Sequence, residues 1–212
     1  MRANKSLLTL LLLIGLTTFL SAHPHMMLTS RCTVRWEGEQ LSGIQLDWEF
    51  DKFFSADIIG SFDLDNNRVF DEEETGEIYQ YAFSNLENYH YFVFFREGDR
   101  RFFADEIRDF SASCRDGILT YSFFIPLERF SGREIHIAVY DYSFFCQVRY
   151  DKDEPVLLDY RQDLVRPEFS TGENKDYPVY YDPYAPASDL TIHEKWFPGL
   201  ETFYPVEISV VF

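Results

Sequence analysis

The chain has 212 residues, with 36 Asp+Glu against 19 Lys+Arg, a formal net charge of −17 at pH 7, and 46% hydrophobic and 18% aromatic residues. Length and apolar content suffice for one domain with a proper core, and the acidic excess repels nucleic acid and anionic membranes while drawing in cations. Three cysteines, Cys32, Cys114 and Cys146, are too few and too scattered for a disulfide-stapled scaffold.

Residues 1–22 read as a signal peptide. Arg2 and Lys5 are followed by "LLTLLLLIGLTTFL", too short to span a bilayer comfortably, and by the small residues of "LSA". Cleavage after Ala22 would take two bases away, move the net charge from −17 to about −19, and leave a periplasmic or extracellular protein without stable membrane insertion. It would also leave His23-Pro24-His25 at the new amino terminus, followed by Met26 and Met27. A free amine and two imidazoles suit nickel, cobalt, copper or zinc. The square-planar site with histidine third is excluded, because Pro24 has no N–H to give up.

From Met26 to Trp36 apolar residues alternate, predicting a half-buried strand that turns at "EGEQ" into a second, "LSGIQLDWEF". The period then lengthens. "FFSADIIGSF" puts Phe54, Ile58 and Phe62 on one helical stripe, and "ETGEIYQYAFSNL" does the same with Ile78, Ala82 and Leu86. Between them, "DLDNNRVFDEEE" has the spacing of an EF-hand calcium loop: Asp63, Asp65 and Asn67 alternate, Val69 offers a backbone carbonyl, Asp71 acts directly or through water, and Glu74 is the bidentate clamp. Arg68 stands in the sixth place, where positive φ normally calls for glycine. The alternatives are an acidic turn that binds nothing specific, or another cation.

Strand patterns resume at "YHYFVFFREG" and continue to "PVLLDY", with turns at "EGDR", "RDG" and "SGR". Together they predict a mainly β, antiparallel, immunoglobulin-like sandwich over residues 23–160, with an EF-hand-like helix-loop-helix inserted at 52–88. The cysteines fall on apolar strand faces, as buried thiols or as one disulfide plus a thiol, Cys32 with Cys114 being one possible pair. Residues 161–212, rich in Pro, Tyr, Asp and Glu, read as an extended aromatic and acidic tail whose final "FYPVEISVVF" could return as a strand.

Three features together carry a resemblance: "AHPH" after a signal peptide, "LDWEFDKFFSADIIGSFDLDNNRVFDEEE", and "IHIAVYDYSFFCQVRYDKDEPV". Over residues 22–160 the chain resembles the domain of unknown function 1007 family, exported proteins often labelled periplasmic components of an uncharacterised ABC-type transport system. Members are associated with nickel or cobalt exporters, so the resemblance implies a metal-linked role, with His23, His25 and the Asp63 to Glu74 loop matching the family pattern. The leading expectation is a non-enzymatic accessory protein that binds a transition metal for a membrane metal transporter, with a structural calcium-like loop. No Ser/His/Asp order, phosphate loop or zinc-hydrolase motif is present. The rivals are an envelope ligand- or partner-binding module using the Tyr-rich tail, and an oxidative enzyme with copper on the terminal histidine, completed by His136 or His90.

Overall fold

The computed structural model describes residues 24–104 and 106–212; the expected signal peptide and His23 lie outside them. No helix among the described residues is long and apolar enough to cross a membrane. The chain is mainly β. Strands β1 (Met26–Glu37), β2 (Gln40–Phe50), β5 (Arg108–Arg115), β6 (Ile118–Pro126), β8 (Cys146–Tyr150) and β9 (Val156–Asp159) form one sheet, in the order β5-β6-β2-β1-β8 with β9 also on β1. A second, antiparallel sheet has the order β10-β13-β7-β3-β4, from β3 (Val93–Glu97), β4 (Arg100–Phe103), β7 (Glu134–Val139), β10 (Glu168–Glu173) and β13 (Val206–Val211). Both sheets bury their inner faces in one core: Cys32, Ile44, Leu46 and Trp48 from the first meet Phe95, Ile137, Ile208 and Val210 from the second. β1 shows how period two produces this, since Leu28, Ser30, Cys32 and Val34 are buried while the residues between them are not.

Three expectations are corrected. The first sheet is not wholly antiparallel, because β1 pairs in parallel with both β8 and β9. The strand pattern of "REIHIAVYDYSFFCQVRY" divides into two strands, β7 and β8, lying in different sheets. The turn between them is made by Asp141, whose carboxylate accepts the Ser143 and Cys146 amides at 2.8 and 2.9 Å, and Phe144 takes φ +56 to complete it. Having changed sheets there, the chain runs beside β1 in the same direction. The second correction concerns the helices. Helix α1 (Lys52–Phe62) forms, capped by Asp51, which accepts the Phe53 amide at 2.8 Å, but the second helix is shorter than read. α2 (Glu72–Ile78) passes into one π-helical turn, Tyr79–Phe83, and then into tighter turns up to Phe92. Ile78 and Phe83 are five residues apart and both fully buried, so a turn closing at i+5 puts both in the core.

The third correction concerns the segment from residue 161: its final stretch returns as a strand, as its sequence allowed, but the segment is built into the second sheet rather than extended as a tail. β13 lies between β10 and β7, with Ile208 and Val210 fully buried. A hairpin of β11 (Val179–Tyr181) and β12 (Glu201–Phe203) covers a second apolar cluster of Phe94, Ala138, Tyr140 and Phe144. Tyr181 stacks on Phe144 at 4.0 Å, and the Arg101 guanidinium sits 4.2 Å from the Tyr177 ring. Of Tyr177, Tyr180, Tyr181 and Tyr184, only Tyr184 is exposed and the other three are partly buried, so they form no fully exposed row. Cys32, Cys114 and Cys146 are all free thiols. Burial, with Asp47 nearby, pushes the Cys32 thiol up to about 12, which suppresses thiolate chemistry.

A bidentate ion pair joins β13 to β3: the Glu207 carboxylate accepts Arg96 Nε at 3.1 Å and Nη2 at 2.7 Å. Burial alone would raise the Glu207 carboxyl, but the hydrogen bonds and charge of Arg96, with Asn174 and His136, outweigh it and hold it below the usual carboxylate range. A carboxyl held down in the folded state contributes stability that is present above its unfolded pKa and lost as pH falls through the lower, folded one. Glu207→Gln is therefore expected to lower Tm at neutral pH, with the gap to wild type closing as pH drops below the ordinary glutamate value of about 4.3. Thermal melts of both proteins across the acid range check this. A gap that stays constant with pH would show that the pair contributes no ionic stability.

Candidate metal centre

The segment between α1 and α2 is shaped by its own carboxylates. Asp63 ends α1, its amide donating to the Ile59 carbonyl, and its two carboxylate oxygens accept the amides of Asn67 at 3.0 Å and Arg68 at 3.1 Å. Asp65 accepts the Asn67 amide at 3.0 Å and the Asn67 side chain at 2.6 Å, and Asn67 Oδ1 accepts the Val69 amide at 2.6 Å. Glu74 closes the ring from the far side, accepting the Leu64 amide at 2.7 Å with one oxygen and the Asp71 amide at 3.1 Å with the other. Asp71 returns the contact by accepting the Glu74 amide at 2.9 Å, a reciprocal capping box that starts α2. Phe70, beside the expected carbonyl ligand, is buried in the main core and pins the loop to the body.

Backbone curvature follows the calcium-loop expectation. Arg68, in the sixth place, has φ +64, and Asn66 has φ +58. Asparagine tolerates the left-handed region; Arg68 pays about 1–2 kcal/mol for its Cβ there. The strained conformation aims the Arg68 amide at Asp63, which is why the chain keeps it.

These contacts bring three of the six expected ligand residues together. Ligand oxygens of Asp63, Asp65 and Glu74 all lie within 4.8 Å of one another, the one such group of three or more His, Cys, Asp or Glu side chains among the described residues. Asp63 and Glu74 are buried, Asp65 is exposed, and none of the ion pairs among the described residues reaches them. A carboxylate offers about four lone-pair directions; Asp63 and Glu74 each spend two on amides, which leaves both with acceptor capacity. Converging, partly desolvated like charges repel unless a cation joins them, and an all-oxygen set suits calcium or another hard divalent ion. Asp71 stands outside the group as a helix cap, Asn67 is folded onto Asp65 and Val69, and the Val69 side chain is exposed.

The histidines are placed separately. His25 leads into β1, its amide donating to the Phe145 carbonyl at 2.9 Å and its ring tilted against Phe145 at 5.2 Å. His136, half-buried on β7, makes a 2.7 Å hydrogen bond with Ser209 Oγ and lies 3.4 Å from Glu134. His90, expected at a strand start, instead sits in a left-handed turn and stacks on Phe103 at 3.8 Å. Tyr180 pairs with His193 in an isolated bridge. Sequence reading missed the Leu64–Glu74 contact, for which no residue pattern exists, because the donor is a backbone amide.

The family model described as "Protein of unknown function (DUF1007)" matches residues 8–212, and the chain belongs to that family. The match includes residues 161–212, beyond the stretch that carried the sequence resemblance. An "Uncharacterized 15.5 kDa protein in trpE 3'region" of Spirochaeta aurantia is 34% identical over 98 residues, which is 45% of this chain and 70% of that protein.

Proposed function

We propose that this member of the DUF1007 family is an exported, non-enzymatic divalent-cation-binding protein that serves a membrane metal transporter. In this reading an immunoglobulin-like sandwich carries an EF-hand-like insertion in which calcium braces Asp63, Asp65 and Glu74, and the amino-terminal histidines hold the transition metal. The observation that supports cation binding best is the approach of those three carboxylates, two of them buried, with no ion pair to neutralise them among the described residues. Calcium here is structural: Glu74 links the end of α1 to the start of α2, so an ion would lock the insertion to the sandwich.

The transition-metal part rests on the family association and on His23-Pro24-His25. Anchoring of His25 to Phe145 gives such a site one fixed end, and Met27, half-exposed on β1, is a thioether two residues away. Nickel, copper or zinc is expected to bind the mature protein, and His23→Ala with His25→Ala to abolish that binding while leaving the calcium response intact. Titration calorimetry with each metal on both proteins reads this directly. Unchanged binding in the double variant would make the chain start merely polar.

A further inference from the structure

A cavity of about 330 Å³ lies between the first sheet and the helical insertion, lined almost wholly by apolar side chains. Leu28, Trp48 and Tyr121 line it from β1, β2 and β6, and Phe54 and Leu86 from the insertion. Asp141 and Ser143 reach it from the turn that switches sheets, while Ala187 and Leu190, both exposed, stand at its mouth. Protein interiors close such spaces when the surrounding chain can relax.

Here the surrounding chain is held away from its relaxed form. The π-helical turn carries Ala82 into the lining. Three consecutive residues, His90, Tyr91 and Phe92, have φ between +49 and +55, and both Tyr89, just before that turn, and Phe92, its last residue, line the cavity. Phe144, φ +56, is flanked by the lining residues Ser143 and Phe145. Left-handed conformations are costly for residues with a Cβ, and clusters of them mark sites where shape serves binding. Trp48 and Tyr121 belong to the lining as rings, while Trp48 Nε1 and Tyr121 Oη are buried in the packing without a hydrogen-bond partner among the described residues.

We propose that this cavity is a binding site for a compact, neutral, mostly apolar organic molecule. The volume is at the low end of the roughly 300–1,000 Å³ that holds small ligands, which sets a size of two or three rings. Apolar walls cannot solvate an ion. An anion would also meet the Asp141 carboxylate, whose oxygens are already engaged by Ser143 and Cys146. The site shares no ligand residue with the candidate metal centre.

The test is a fluorescence titration of the full exported chain with N-phenyl-1-naphthylamine, a neutral three-ring probe, and with its sulfonated analogue 8-anilinonaphthalene-1-sulfonate. Saturable binding of one neutral probe per chain is expected, tighter than the sulfonate by about tenfold or more. Ala82→Phe should fill the cavity from the insertion and Ala187→Trp should block its mouth, each weakening the neutral probe by about tenfold. If Ala82→Phe fails to fold, Ala187→Trp at the surface decides alone. A titration that never saturates, a sulfonate bound as tightly, or binding unchanged in the folded variants would overturn the proposal.

Discussion

The wild-type protein is expected to melt about 5–10 °C higher in 10 mM calcium than in chelator, and Glu74→Gln to lose most of that difference. For a Kd of about 10⁻⁴ M, at the tight end of extracellular calcium modules, calcium at roughly a hundredfold excess stabilises the folded state by about 2.7 kcal/mol. In a domain of this size each kcal/mol shifts Tm by about 2–4 °C. Glu74 is the residue to change because it alone contacts both ends of the loop, through the Leu64 and Asp71 amides. The glutamine removes the charge and turns its NH2 toward one of those two amides, so in chelator the variant should melt a few degrees below wild type, and the calcium increment is the quantity to compare.

Arg68→Gly separates backbone strain from ion binding. Relief of the left-handed penalty, about 1–2 kcal/mol, exceeds the roughly 0.5–1 kcal/mol that glycine costs through unfolded-state freedom. Tm should therefore rise by a few degrees with and without calcium, leaving the calcium increment in place. Equal wild-type melting temperatures in calcium and chelator would make the loop an acidic turn satisfied by its own amides.

Much of this loop was legible because its information is local. Alternating carboxylates are set by spacing along the chain, and the required left-handed turn at Arg68 follows from the same spacing, whereas the part of Asp71 as the cap of α2 was not read from it. β1 and α1 were legible for the same reason: period two and the helical stripe of Phe54, Ile58 and Phe62 need no distant partner. The switch between sheets at Asp141 to Cys146 was not, since "HIAVYDYSFFCQV" is apolar and β-prone on both sides of it and such a run does not say which sheet a strand joins. Nor was the cavity. Trp48 and Tyr121 look like ordinary core aromatics, and only their three-dimensional surroundings show polar atoms left without partners.

Truncation after Tyr160 is expected to abolish cooperative unfolding, which an unanchored tail would not do. Two contributions decide this. Ile208 and Val210 are fully buried, and side chains of their size contribute about 1.5–3 kcal/mol each on burial. Removing Glu207 also leaves Arg96 without its carboxylate partner, a loss of about 3 kcal/mol for a largely buried pair. Together these reach about 6–9 kcal/mol against a total stability of about 5–15 kcal/mol for a domain. They also leave β7 with an unpaired edge, because β13 lies between it and β10, and uncover Phe94, Tyr140 and Phe144 beneath the lost hairpin. The truncated chain should therefore aggregate or elute as a broad, non-native species in size exclusion, with no cooperative melt by circular dichroism. Glu207→Ala in the full chain removes only the ion pair and should still melt cooperatively, at a lower temperature. A truncated monomer with a wild-type melt would return residues 161–212 to the status of a tail and take the Arg96–Glu207 contact out of the fold's stability.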